Sequence, residues 1–166
     1  MEIKEILHII GKKSKSSQKE VAFAPHEIRK KVLKLCAAKI KSNIEKIITI
    51  NKDDLDNASR ADLKESYIDR LRLDEKRILD IVKSLNEISQ LPDPLQRKLD
   101  EWERPNGLQF RKISTPLGVL GVIYESRPNV TVDASCLSVK SGNCIILRGG
   151  SDSFYSSKEL VNNITN

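Results

Sequence analysis

Two uninterrupted apolar runs, Leu117-Gly118-Val119-Leu120-Gly121-Val122-Ile123-Tyr124 and Cys144-Ile145-Ile146-Leu147, constrain this chain more than any other feature. A strand with one face in water alternates polar and apolar residues, whereas a parallel strand covered on both faces is apolar throughout. Between the runs stand helix-cap candidates, Asn129 or Thr131, and a helix terminator, Gly142. Strand, helix and strand in that order predict a βαβ unit. Arg148-Gly149-Gly150-Ser151 then turns into a last helix, roughly Ser153 to Ile164.

The preceding residues read as helices. Ile3, Ile6, Leu7 and Ile10 share one face of a short helix over residues 2–20, which fades into the polar stretch Lys12–Ser17. A longer helix starts near Pro25, with Ile28, Val32, Cys36, Ile40, Ile44 and Ile47 as its buried stripe. Asn51 and Ser66 are candidate caps for short turns beyond it. Asp74 is a stronger one, because Leu73 and Ile78 can close a hydrophobic staple around it; Ile81, Val82, Leu85 and Ile88 continue that helix to Leu91-Pro92. Arg104-Pro105-Asn106-Gly107 suits a tight reversal, so its flanks, Leu99–Glu103 and Leu108–Arg111, read as a β-hairpin. The organisation is therefore α/β: a helical segment over residues 1–94, a hairpin over 95–115 and an incomplete βαβ unit over 116–166, together one truncated domain.

Composition narrows the function classes. Of 166 residues, 39% are hydrophobic and 31% charged. No apolar run approaches the ~20 residues of a membrane helix, and the N-terminus has neither secretory nor mitochondrial layout. A cytoplasmic protein without membrane contact is expected. Cys36, Cys136 and Cys144 lack metal-ligand spacing, and His8 and His26 stand apart, which argues against zinc or a disulfide framework. The net charge of +6 is concentrated in residues 1–50, with 12 Lys/Arg against 5 Asp/Glu. A nucleic-acid-binding module is conceivable on that basis, but aromatic stacking residues and a recognised motif are absent, so a solvated lysine face is the expectation.

In open α/β sheets, ligands sit at the carboxyl ends of the parallel strands, where helix N-termini offer free N–H groups and a positive dipole. Two loops fit that position. One is Glu125-Ser126-Arg127-Pro128-Asn129, and the other, Arg148-Gly149-Gly150-Ser151, joins a guanidinium, flexible backbone and a hydroxyl. Together they suit a ribose and a phosphate. The second loop taken alone equally suits a plain turn, with Arg148 paired to a surface acid.

Longer stretches resemble a known family. Tyr67-Ile68-Asp69-Arg70-Leu71, Leu91-Pro92-Asp93-Pro94, Arg104-Pro105-Asn106-Gly107-Leu108, Pro116-Leu117-Gly118-Val119, the run from Val122 through Glu125-Ser126-Arg127-Pro128-Asn129 to Val132, and Lys140-Ser141-Gly142-Asn143 through Arg148-Gly149-Gly150 resemble γ-glutamyl phosphate reductase, of the aldehyde dehydrogenase superfamily. The resemblance runs almost the whole chain. It implies the first part of an aldehyde-dehydrogenase-type Rossmann-like domain and, for the complete family member, NADPH-dependent reduction of γ-glutamyl phosphate on the route to proline. It also implies that Glu125, Ser126 and Arg127 lie near nicotinamide and substrate, while Arg148, Gly150 and Ser151 adjoin the adenosine ribose. A hydroxyl at Ser151, where related NAD enzymes often carry a carboxylate, leaves room beside Arg148 for a 2′-phosphate, so the implied cofactor is NADP(H).

The family continues well past the end of this sequence, into a separate catalytic domain whose cysteine forms a covalent thioester. None of the three cysteines here matches that motif; each falls on a buried helix face or strand, where a thiol is inert packing. The chain departs from the family at Leu95-Gln96, Ser114-Thr115 and Tyr155. An inactive reductase portion is therefore expected, or else half of a split enzyme. Two parallel strands also cannot cover themselves. Half-covering the eight apolar residues of the two runs forfeits on the order of 6–12 kcal/mol, so another copy, or a separately encoded C-terminal piece, is the expected partner at the sheet's open edge.

Overall fold

The computed structural model describes residues 2–165. Its helices are α1 (Ile3–Phe23), α2 (His26–Ser42), α3 (Ile44–Arg60), α4 (Glu65–Leu71), α5 (Glu75–Gln90), α6 (Pro128–Lys140) and α7 (Phe154–Thr165). The strands are β1 (Lys98–Glu103), β2 (Gln109–Ile113), β3 (Val119–Ile123) and β4 (Cys144–Arg148). β1 and β2 pair antiparallel, β3 and β4 parallel, as two separate sheets. The α/β class, the hairpin and the βαβ unit are thus as the sequence predicts. Among the described residues, no helix is long and apolar enough to cross a membrane.

The core lies between helices. Leu33 and Ile40 of α2, Ile47 of α3, Ile78 and Leu85 of α5, Val132 of α6 and Leu160 of α7 are all essentially inaccessible to water. Asp74 caps α5 by accepting the Arg77 N–H at 2.8 Å, and Leu73 and Ile78 are both buried beside it, as a staple requires. In the hairpin, Gly107 takes φ +83° at the reversal, where an L side chain is disfavoured. Trp102 stands opposite Phe110 with the rings stacked 5.4 Å apart, although every residue of both strands is exposed.

Several helix readings need correction. α1 does not fade at Lys12 but continues to Phe23, and its Ile3, Ile6, Leu7 and Ile10 face water. It packs on β3 and β4 instead through its second half, where Gly11, Ser14, Gln18, Val21 and Ala22 are partly covered. The long helix expected from Pro25 is two, broken at Asn43, whose side-chain amide is drawn to the Lys39 carbonyl and to Asn163 of α7. Ile28 and Val32 are exposed, while their neighbours Arg29 and Leu33 are buried. Burying Arg29 is tolerable because its donors are engaged: Asp93 accepts two bonds at 2.8 and 3.0 Å, the Lys140 carbonyl one at 2.6 Å and the Ala24 carbonyl one at 3.1 Å. Ser66 lies inside α4 rather than capping it, and neither Asn129 nor Thr131 caps α6, which opens at Pro128 with Arg127 as the residue before it. β3 and β4 are half-buried rather than covered on both faces, with Ile123 77% exposed.

These paired carboxylates set the pH response. Burial alone would raise Asp93 and Glu159, but the Leu95 N–H and Arg29 at the former, and Lys46 and Asn163 at the latter, outweigh it and hold both below the usual range. Asp133 is shifted the other way by burial. A depressed carboxyl contributes stability that is complete above its unfolded pKa and is lost as pH falls through the folded value. Glu101 on the exposed hairpin is lowered too, by hydrogen bonds from Lys98 and Arg111, so with three carboxyls depressed against one raised the urea midpoint falls as the pH drops below about 4. A midpoint unchanged between about pH 6 and 3 would contradict this.

Candidate functional site

The parallel register places Ile123 opposite Arg148, so the loops leaving β3 and β4 start side by side. The Tyr124 N–H donates to the Arg148 carbonyl at 3.1 Å, extending the ladder one residue into them. Beyond that point Ser126 takes φ +48°, a left-handed conformation uncommon for a residue with a side chain. Its hydroxyl donates to the Asp152 carboxylate, clasping the two loops together. A Cβ at Gly150 would stand 2.3 Å from Asp152 Oδ1, so a side chain there would displace the carboxylate that holds Ser126. At Gly149 a Cβ would press on the Tyr124 hydroxyl at 3.2 Å, and that hydroxyl is itself hydrogen-bonded to Thr131 at 2.6 Å.

The clasp walls a cleft of about 540 Å³, closed on its other side by Asn57, Leu63 and Tyr67 of the α3–α4 region. Glu125, Ser126, Arg148, Gly150 and Ser151 all line it. Arg127, the sixth candidate, does not: it precedes α6 and lines a neighbouring cleft. Arg148 is the single cationic residue of the first cleft, and among the described residues no carboxylate pairs with it. The surface acid that the plain-turn reading gives Arg148 is not within ion-pair distance among the described residues, although Glu125 and Asp152 line the same cleft.

Sequence reasoning missed Asp152. Its signal was a carboxylate directly after Ser151 at a helix start, but nothing local showed that it would turn onto Ser126. Also unforeseen is the support from α3. Asp54, 2% exposed, accepts the Tyr155 and Ser156 N–H groups at 3.1 and 2.7 Å, capping α7 from another helix. Asn51, one turn earlier, donates to the Leu71 carbonyl and Ser156 hydroxyl, both at 2.9 Å, and accepts the Leu73 N–H at 2.8 Å. It is a buried crosslink, not a helix cap.

The thiols are placed for packing. Burial raises the Cys36 and Cys144 thiols and, with Cys36 and Asp133 nearby, pushes Cys136 up to about 12. None is a thiolate at neutral pH, so none is an activated nucleophile.

No family model matches the chain. A γ-glutamyl phosphate reductase of Bartonella bacilliformis is 46% identical over 154 residues, 93% of this chain and 37% of the relative. The crystal structure of a γ-glutamyl phosphate reductase from Thermotoga maritima superposes with a TM-score of 0.89 at 38% identity, over 92% of this chain and 37% of that one. A probable aldehyde dehydrogenase from Listeria monocytogenes, at 16% identity and a TM-score of 0.70 over 98% of this chain and 33% of its own, shares the fold alone. The chain thus spans little more than a third of the length of the curated relatives it matches. Over more than nine-tenths of its residues, it is a homologue of the N-terminal portion of γ-glutamyl phosphate reductases.

Proposed function

We propose that this chain is the NADP(H)-binding portion of a cytoplasmic reductase acting on γ-glutamyl phosphate, and that by itself it holds the nucleotide without turning over the substrate. The observation carrying this reading is the clasped cleft at the carboxyl ends of β3 and β4, with Arg148 unpaired beside Ser151. The residues there fit a dinucleotide. Gly150 keeps the backbone open to close approach, and Arg148 offers a guanidinium to a 2′-phosphate with Asp152 turned away onto Ser126. Bound there, the nucleotide would supply hydride; the chain's own residues position it. Three inert thiols leave the nucleophile to another part of the enzyme.

Titration of the purified chain with NADPH, followed by nucleotide fluorescence, should saturate, and no NADPH should be consumed when γ-glutamyl phosphate is added. Absence of binding would overturn the nucleotide assignment, and turnover by the chain alone would overturn its inertness.

A second reading, one half of an enzyme assembled from two chains, is favoured by the water-facing Leu117 and Ile123, 84% and 77% exposed beside the cleft-bearing strands. The partner is then a separately encoded C-terminal piece, or a second copy of this chain covering the same edge. Mixing the chain with the C-terminal portion of a related reductase should restore NADPH consumption; a mixture as inert as its parts excludes the split enzyme.

A further inference from the structure

In the turn after a nucleotide-binding strand, a carboxylate accepts the ribose hydroxyls of NADH, whereas an arginine accommodates the 2′-phosphate of NADPH. The turn from β4 to α7 carries both, Arg148 and Asp152, and both line the cleft. Glu125 lines it as well, so two carboxylates face one guanidinium. Left free, Asp152 would oppose a 2′-phosphate in two ways, by pairing with Arg148 or by repelling the phosphate directly.

Asp152 is not free. One of its oxygens accepts the Ser126 hydroxyl, and the other occupies the space that Gly150 leaves by having no side chain. Helix capping does not account for it: although Asp152 stands just before α7, the Tyr155 and Ser156 N–H groups in the first turn of that helix are taken by Asp54. Among the described residues Asp152 has no cationic partner, and the hydrogen bond from Ser126 is the one its carboxylate accepts.

Ser126 is equally committed. It is 3% exposed and holds φ +48°, where a side chain is disfavoured and glycine is not. Such conformations cluster at binding sites, where the surrounding structure holds a residue in place for what it positions. Here the thing positioned is a buried hydroxyl, aimed from the β3–α6 loop at the carboxylate of the facing loop.

We propose that Ser126 is a positioning residue for nucleotide choice: by holding the Asp152 carboxylate on the β3–α6 loop, it keeps Arg148 available to a 2′-phosphate and so favours NADPH over NADH. The inference rests on reading this cleft as the nucleotide site, and it adds the residue that sets the preference. Ser126 acts through Asp152 rather than on the nucleotide itself.

The test is a set of fluorescence titrations of the full chain with NADPH and with NADH, read as the ratio of the two affinities. Ser126→Gly is the decisive substitution, because glycine takes φ +48° without penalty and only the hydroxyl is lost. It should lower the NADPH preference by about tenfold, mainly through weaker NADPH binding. Adding Asp152→Asn to the Ser126→Gly chain removes the freed charge, and should return the preference to within about threefold of the unaltered value. If Ser126 merely shapes its loop, both nucleotides weaken together and Asp152→Asn restores nothing. That result overturns the proposal, as does a preference that Ser126→Gly leaves within about threefold of the unaltered value. Should the doubly altered chain fail to fold, the ratio for Ser126→Gly decides by itself. The unaltered chain separates the two readings: no NADPH binding removes the nucleotide assignment and this proposal together, whereas NADPH binding without preference over NADH removes only the role of Ser126.

Discussion

Replacing Asn51 by leucine should destabilise the chain by about 3–5 kcal/mol, with a matching fall in the urea midpoint. Asn51 is 1% exposed and makes three hydrogen bonds, to the Leu71 carbonyl, the Leu73 N–H and the Ser156 hydroxyl. Leucine is close in volume, so the loss is polar rather than steric. Each bond contributes about 1 kcal/mol net, but the Leu73 N–H and Leu71 carbonyl would be left buried without partners, at about 1–3 kcal/mol each. Against a total stability of about 5–15 kcal/mol this is a large share. Lys52→Ala, at an exposed neighbour on the same helix, should stay within about 0.5 kcal/mol. If the two substitutions prove equivalent, Asn51 is not the crosslink described. The effect reaches the site as well, because Asn51 and Asp54 together hold the start of α7, which directly follows the Gly149–Ser153 loop.

The second large effect falls on nucleotide choice. Arg148→Glu should weaken NADPH by roughly 10–100-fold, while NADH changes by less than about threefold. The reasoning is electrostatic: a hydrogen bond between charged groups contributes about 1.5–3 kcal/mol, and each 1.4 kcal/mol is a factor of ten in affinity. Only NADPH carries the 2′-phosphate that Arg148 would meet. Arg148→Lys should recover part of the loss, since the charge survives but the paired donors do not. Equal losses for NADPH and NADH would show that Arg148 maintains the loop and does not read the phosphate. Paired fluorescence titrations with the two nucleotides give the answer directly.

Much of the architecture was readable from one-dimensional pattern. The apolar runs at Leu117–Tyr124 and Cys144–Leu147 became β3 and β4, Asp74 capped α5, and Arg104–Gly107 turned the hairpin, because each signal is local and needs only a few neighbouring residues to act. Patterns that depend on a distant partner were misread. Ile3, Ile6, Leu7 and Ile10 form a regular helical stripe, yet what α1 lays on the sheet is its smaller residues, from Gly11 to Ala22. Arg29 stands outside the buried stripe expected of its helix, yet Asp93 and the Lys140 carbonyl, both far along the chain, make its burial tolerable.

The candidate site divides along the same line. Sequence by itself determined the strand-helix-strand order, the glycines at 149 and 150, and the resemblance to γ-glutamyl phosphate reductases, since these lie in contiguous residues. Only the tertiary structure decided that Ser126 and Asp152 clasp the two loops, that Arg127 turns to a separate cleft with Arg70, Arg72 and Asp133, and that Asn51 and Asp54 anchor α7 from another helix. Each of those joins residues brought together by chain crossing. A hydrogen bond or an unpaired charge has meaning only once its surroundings are fixed, and the surroundings are supplied by the fold.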